Sequence, residues 1–115
     1  MNRCTGRNDG YDFPAVIVRA IEALGDRSRR KILFVLESRG EAAYSELQTA
    51  TSLKKGTLNH HLEKLMAGAL IRNFRGGSPA SQYSSFYELT TIGHELLENI
   101  SKSFGPIKSS SGRAC

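Results

Sequence analysis

Tryptophan is absent from the 115 residues, and cysteine occurs only twice, at Cys4 and Cys115. With one thiol near each end, in polar segments, neither is placed to form a structural disulfide, which fits a reducing compartment. No apolar run approaches the roughly 20 residues of a membrane span, and the first residues have no apolar core of the secretory kind. A cytoplasmic location without membrane contact is the resulting expectation. Catalytic signatures are missing too: no glycine-rich phosphate loop leads into Lys-Ser/Thr, and there is no nucleophile elbow, HExxH or CxxC pair. The hydroxyls and histidines have no evident base or orienting partner. No enzyme chemistry is expected, and no cofactor is implied.

What is present suits one globular domain. A hydrophobic content of 39% against 23% charged residues supports a modest single core, and 115 residues leave no room for a second. The charge is unevenly spread. Between Arg27 and Arg75 ten basic residues face four acidic ones, a net of +6 where the whole chain carries +5, so the remainder is slightly acidic. Such segregation is the electrostatic footprint expected of a protein that binds a polyanion.

The segment that holds this charge reads as two short helices joined by a tight turn. Ser45 is a good N-cap for the first, which has Leu47 and Ala50 on its apolar side, and the turn falls around Thr51 to Leu53. The second runs from about Lys54 to Ala67 with Leu58, Leu62 and Leu65 on one stripe, and Gly68 stands where a left-handed residue would end it. At about 100° per residue, Gly56, His60, Glu63 and Ala67 lie opposite the leucines, Thr57 and Lys64 lie to one side, and Asn59 sits nearer the other flank. Small at Gly56 and free of bulky apolar groups, this face has donors and acceptors fit to meet base edges. A merely solvated helix face is the competing reading.

Upstream, residues 1–12 are polar and aperiodic, as expected of a tail. From about Pro14, Val16, Ile17, Ala20, Ile21 and Leu24 recur at helical spacing, with Phe13 ahead of them and Gly25 at the end. That stripe is either core or a dimer face. Asp26 caps the next helix, Arg27 to about Ser38, which buries Ile32, Leu33, Val35 and Leu36. Arg29, Arg30 and Lys31 sit near the positive end of its dipole, where cations are mildly unfavourable. Either carboxylates at Glu22 or Asp26, or a passing phosphate backbone, must favour them.

Downstream, Leu70 to Arg75 and Tyr83 to Leu89 are β-prone runs separated by GGSPASQ, a hairpin with a polar loop. Helix pair and hairpin together make a winged helix-turn-helix: mostly α with a small β-hairpin wing, about five helices and a two- to three-stranded antiparallel sheet, spanning 13–103. Arg72, Arg75 and the tip Gly76 to Ser81 are placed to reach a phosphate or the minor groove. Thr90 or Thr91 caps a last helix through about Lys102, with Ile92, Leu96, Leu97 and Ile100 apolar. Residues 104–115 read as a second tail.

The runs ALGDRSRRKILFVL, SELQTATSLKKGTLNHHLEKLMAGALI and YELTTIGHELLENI, in that order, resemble ArsR-like winged helix-turn-helix transcriptional regulators over about Val16 to Ile100. The resemblance implies a homodimer formed through the first and last helices, on double-stranded DNA, with the second helix of the pair in the major groove. It implies Lys55, Thr57, Asn59 and His60 as DNA contacts, and His61 as more lateral, near a phosphate. With the basic residues Lys54, Lys64, Arg72 and Arg75, and with Gly56 permitting close approach, these form the expected DNA-binding set. Metal-responsive relatives carry a cysteine pair where this chain has Glu41-Ala42-Ala43-Tyr44, so no soft-metal site is implied there. His94 and Glu98 have the spacing of two ligands on one helix face, but two ligands do not make a site. No metal is expected, and any effector is left open. A protein-docking module of a transcription assembly and a non-specific, chromatin-like DNA binder are the alternatives.

Overall fold

The computed structural model describes residues 12–76 and 84–106. Five helices and three strands follow in the order α1 (Ala15–Ala23), α2 (Arg27–Arg39), β1 (Ala42–Ala43), α3 (Tyr44–Thr51), α4 (Lys55–Ala67), β2 (Ile71–Gly76), β3 (Ser84–Leu89) and α5 (Thr91–Phe104). The expected tails lie outside the described residues, apart from Asp12 and 104–106.

Local chemistry accounts for the boundaries, with two revisions of the expected caps. Asp26 caps α2 as expected, its Oδ2 accepting the Arg29 backbone N–H at 3.2 Å. The α3 start differs: Ala43 is the N-cap and Ser45 lies inside the first turn. There the Glu46 carboxylate reaches back to accept the Ala43 backbone N–H at 2.8 Å, so a glutamate in the first turn replaces the serine cap. Ser52, at φ +59°, makes the turn, and its N–H donates to the Gln48 carbonyl at 2.8 Å. Gln48 Nε2 then donates to the Leu53 carbonyl at 3.1 Å, tying the turn down ahead of α4.

At the far end of α4 the left-handed residue is Ala69, at φ +61°, while Gly68 keeps φ −88°. The Ala69 N–H donates to the Met66 carbonyl and the Leu70 N–H to the Leu65 carbonyl, the paired bonds of a Schellman stop. Gly68 answers to packing instead. A Cβ there would lie 2.7 Å from Ala20 Cα, so its lack of a side chain lets α1 cross α4 backbone to backbone.

Ile32, Leu36, Leu47, Leu58, Leu62, Leu65 and Leu70 are fully buried and form the centre of the core, with Ala20 and Ala23 of α1 and Leu97 of α5 at its margins. The sheet has the order β1-β3-β2, antiparallel throughout, with Arg72 opposite Glu88, Phe74 opposite Phe86, and Ala43 opposite Phe86 on the other side. Thr90 caps α5, as one of the two threonines expected to: its Oγ1 accepts the Gly93 N–H at 2.9 Å and donates to the Ala69 carbonyl at 2.6 Å. One hydroxyl thus joins the wing exit to the α4 exit. Of the α1 stripe, only Ala20 is buried; Val16, Ile17 and Ile21 are 42–52% exposed. On α5, Ile92 is 60% and Phe104 86% exposed. These apolar faces are not core of the single chain.

Candidate nucleic-acid interface

The α4 helix divides cleanly into two sides. Leu58, His61, Leu62 and Leu65 are buried, while Lys54, Lys55, Gly56, Thr57, Asn59, His60, Glu63 and Lys64 are exposed. The members of the expected DNA-binding set on α4 and its N-cap are therefore exposed, His61 excepted. Among the described residues, Lys54, Lys55, Lys64 and Arg75 have no carboxylate partner. Lys54, as N-cap, makes no side-chain cap bond, so cations flank a helix N-terminus with its first amides unclaimed by a side chain.

His61 is buried, not on the accessible flank expected of a phosphate contact. It is 9% exposed and packs into the core side of α4, three residues after Leu58 and four before Leu65. Its Nδ1 lies 3.0 Å from an Arg29 guanidinium nitrogen and its Nε2 3.8 Å from Asp26 Oδ2. A guanidinium can only donate, so Nδ1 accepts and the neutral ring carries its proton on Nε2, toward Asp26. Burial pushes the His61 pKa below its ordinary value, Arg29 and His60 add to this, and Asp26 opposes it. Burial works to raise the Asp26 carboxyl, but the Arg29 and Ser28 backbone N–H groups and the charges of His61 and Arg29 hold it below its ordinary value.

Among the described residues, Arg29 and Arg30 at the start of α2 form no salt bridge with the carboxylates expected for them, Glu22 and Asp26. Arg29 Nε donates to the Ala23 carbonyl at 2.9 Å and a second nitrogen reaches the Glu22 carbonyl at 3.5 Å. Arg30 donates to the Leu24 carbonyl at 2.8 Å. Both cations thus satisfy carbonyls at the negative end of α1, a better field than the one their own helix offers.

Tyr44, the first residue of α3, joins the α4 surface without a signal in the sequence. Its hydroxyl lies 2.8 Å from Asn59 Oδ1 and 3.3 Å from the Lys55 carbonyl, so it touches the exposed polar face of α4 directly. Nothing in the spacing of these two residues signals the contact.

On the wing, Arg72 and Arg75 are both exposed, but they are not equivalent. Arg72 is paired with Glu88 directly across the strands and lies over the Phe74 ring, 5.5 Å from its centroid. The expected tip contacts at 77–81 lie outside the described residues. On α5, His94 faces Glu37 of α2 at 3.6 Å instead of pairing with Glu98. Among the described residues no three His, Cys, Asp or Glu gather as a metal-holding group. Nor is any described helix long and apolar enough to cross a membrane.

A helix pair with an exposed polar second helix, covered by a third helix and flanked by a three-stranded antiparallel sheet, is a winged helix-turn-helix. Residues 26–72, which hold the helix-turn-helix, are similar to the family model described as bacterial regulatory protein, arsR family. No curated protein matches the chain.

Solved structures agree on the fold. The homodimeric winged helix-turn-helix DNA-binding domain Mb0332 of Mycobacterium bovis, a possible ArsR-family transcriptional regulator, is 24% identical with a TM-score of 0.68, covering 87% of this chain and 89% of that one. NolR from Sinorhizobium fredii is 20% identical with a TM-score of 0.67, covering 93% and 100%. HlyU from Vibrio cholerae is 23% identical with a TM-score of 0.62, covering 78% and 92%.

Proposed function

We propose that this protein is a sequence-specific, double-stranded DNA-binding transcriptional regulator of ArsR-like type that acts as a homodimer. The observation that carries the reading is the α4 surface: Thr57, Asn59 and His60 exposed together, small Gly56 just after Lys54 and Lys55, and leucines on the opposite side. In this reading α4 enters the major groove, and Thr57, Asn59 and His60 meet base edges. Lys54, Lys55, Lys64 and Arg75 meet phosphates, with Arg72 joining them where phosphate outcompetes Glu88. The exposed apolar residues of α1 and α5 pack against a second copy, which sets two α4 helices to read half-sites about one helical turn apart. The homodimeric Mycobacterium bovis domain supports this assembly.

Selection from random-sequence duplexes, followed by sequencing of the tightest-bound fraction, tests the proposal. It predicts a roughly palindromic motif. Salt-dependent binding without a motif points to a non-specific coat on DNA, and no binding at low salt moves the function to protein partners.

A further inference from the structure

The contact between Tyr44 and Asn59 bears on which base the reading helix selects, and the inference rests on the α4 reading above. Tyr44 opens α3, is half-buried, and packs its ring against the core. Its hydroxyl has one proton to give, and the nearer acceptor is Asn59 Oδ1 at 2.8 Å, with the Lys55 carbonyl at 3.3 Å. In the amide, Oδ1 and Nδ2 diverge from a common carbon. Holding the oxygen against α3 therefore turns the nitrogen outward, and Nδ2 has no acceptor among the described residues. Asn59 is exposed on the reading face.

An asparagine free to rotate reads adenine with two bonds, Nδ2 donating to N7 while Oδ1 accepts from the N6 amino group. That mode needs the amide oxygen. With Oδ1 held toward α3 by Tyr44, the side chain turns its two Nδ2 donors outward, and the major-groove edge made of adjacent acceptors is guanine, with N7 and O6. We propose that Tyr44 is a specificity-determining positioning residue, which locks the Asn59 amide as a donor so that it selects guanine over adenine at its base pair. Tyr44 itself touches no base.

Tyr44→Phe keeps the ring and its packing while removing the one proton at issue. The test is selection from random duplexes with the wild-type protein, Tyr44→Phe, Asn59→Ala and the double variant. The position read by Asn59 is the one that becomes degenerate in Asn59→Ala. The proposal expects guanine there in the wild type, preferred over adenine by roughly tenfold, and a fall to about twofold in Tyr44→Phe as the freed amide rotates to accept from adenine. The double variant should lose no more than Asn59→Ala alone.

A Tyr44→Phe motif identical to wild type, with the position still lost in Asn59→Ala, overturns the role of Tyr44 and leaves the reading face standing. Adenine as the wild-type base there overturns the proposal as well. So does uniform weakening of all sequences in both variants. Failure of the wild type to enrich any motif removes the reading helix itself, and the proposal with it.

Discussion

Replacing Arg29 separates a structural cation from a DNA-binding one. In the fold its guanidinium spans the Ala23 carbonyl and the His61 ring. Truncation leaves the Ala23 carbonyl and His61 Nδ1 without this donor, and an unsatisfied buried group costs roughly 1–3 kcal/mol. Arg29 is only part-buried, so water reaches the vacated site and the lower end applies, about 2 kcal/mol for the two groups. Arg29→Ala also removes a cation from the positive end of the α2 dipole and from the negative end of α1, opposed effects of about 0.3–1 kcal/mol each that largely offset. The alanine variant should therefore lose about 2 kcal/mol. Arg29→Lys keeps the charge without the planar fork that serves two acceptors, and should lose about 2 kcal/mol. In urea, with a slope near 1–1.5 kcal/mol per molar for a domain of this size, the midpoint should fall by about 1–2 M. The salt dependence of DNA binding should stay unchanged in both variants. Unaltered midpoints, together with a salt slope lower by about one in Arg29→Ala, would show that Arg29 serves a phosphate and that the capping argument is wrong.

The same cluster makes stability pH-dependent. Because the His61 pKa is lowered in the fold, the unfolded chain takes up a proton first; the contribution is complete above the ordinary histidine value of 6.5 and is lost as pH falls below it. Denaturant titrations between pH 7 and 5 should show stability falling on acidification, less steeply in His61→Gln, and a rise on acidification would contradict this. Gly93→Ala should cost at least about 3 kcal/mol, because the new Cβ would meet the Leu70 carbonyl oxygen at 2.2 Å; an unchanged melting temperature would count against the close approach of α5 to the wing. Ala69→Gly should stabilise by about 0.5–1 kcal/mol, since it removes the strain of a side chain at φ +61°. Ile21→Lys, on the exposed stripe of α1, should give a monomer in sedimentation while the monomer fold is retained; an unchanged dimer would place the interface elsewhere.

What could be read in the sequence was whatever short-range periodicity dictates. The leucines of α4, the apolar side of α2, the Asp26 cap and the hairpin are local patterns, and the fold follows them. The α1 and α5 stripes were legible as apolar, but periodicity does not say whether such a face meets its own core or another chain. The misses depend on distant partners. Strand β1 is two alanines with no β preference of their own, visible only through pairing with Tyr87 and Phe86. Gly68 stood in a stop position, yet what demands glycine there is the backbone of α1. Arg29 and Arg30 looked misplaced on their own helix because the field that favours them belongs to α1. His61, by contrast, is legible locally: three residues after Leu58 and four before Leu65, it lies on the buried stripe by spacing alone. The Tyr44 contact with Asn59 bridges 15 residues and two helices, and no local pattern encodes it.

The central claim is that the exposed face of α4 reads sequence. The most direct measurement is the dissociation constant of the wild-type protein for a selected duplex and for a scrambled duplex of the same length and composition, each at two salt concentrations. The account predicts that the selected duplex binds at least about a thousandfold more tightly, and that both affinities fall steeply with salt through shared phosphate contacts. Equal affinities with equal salt slopes would mean that the basic residues hold DNA while α4 reads nothing.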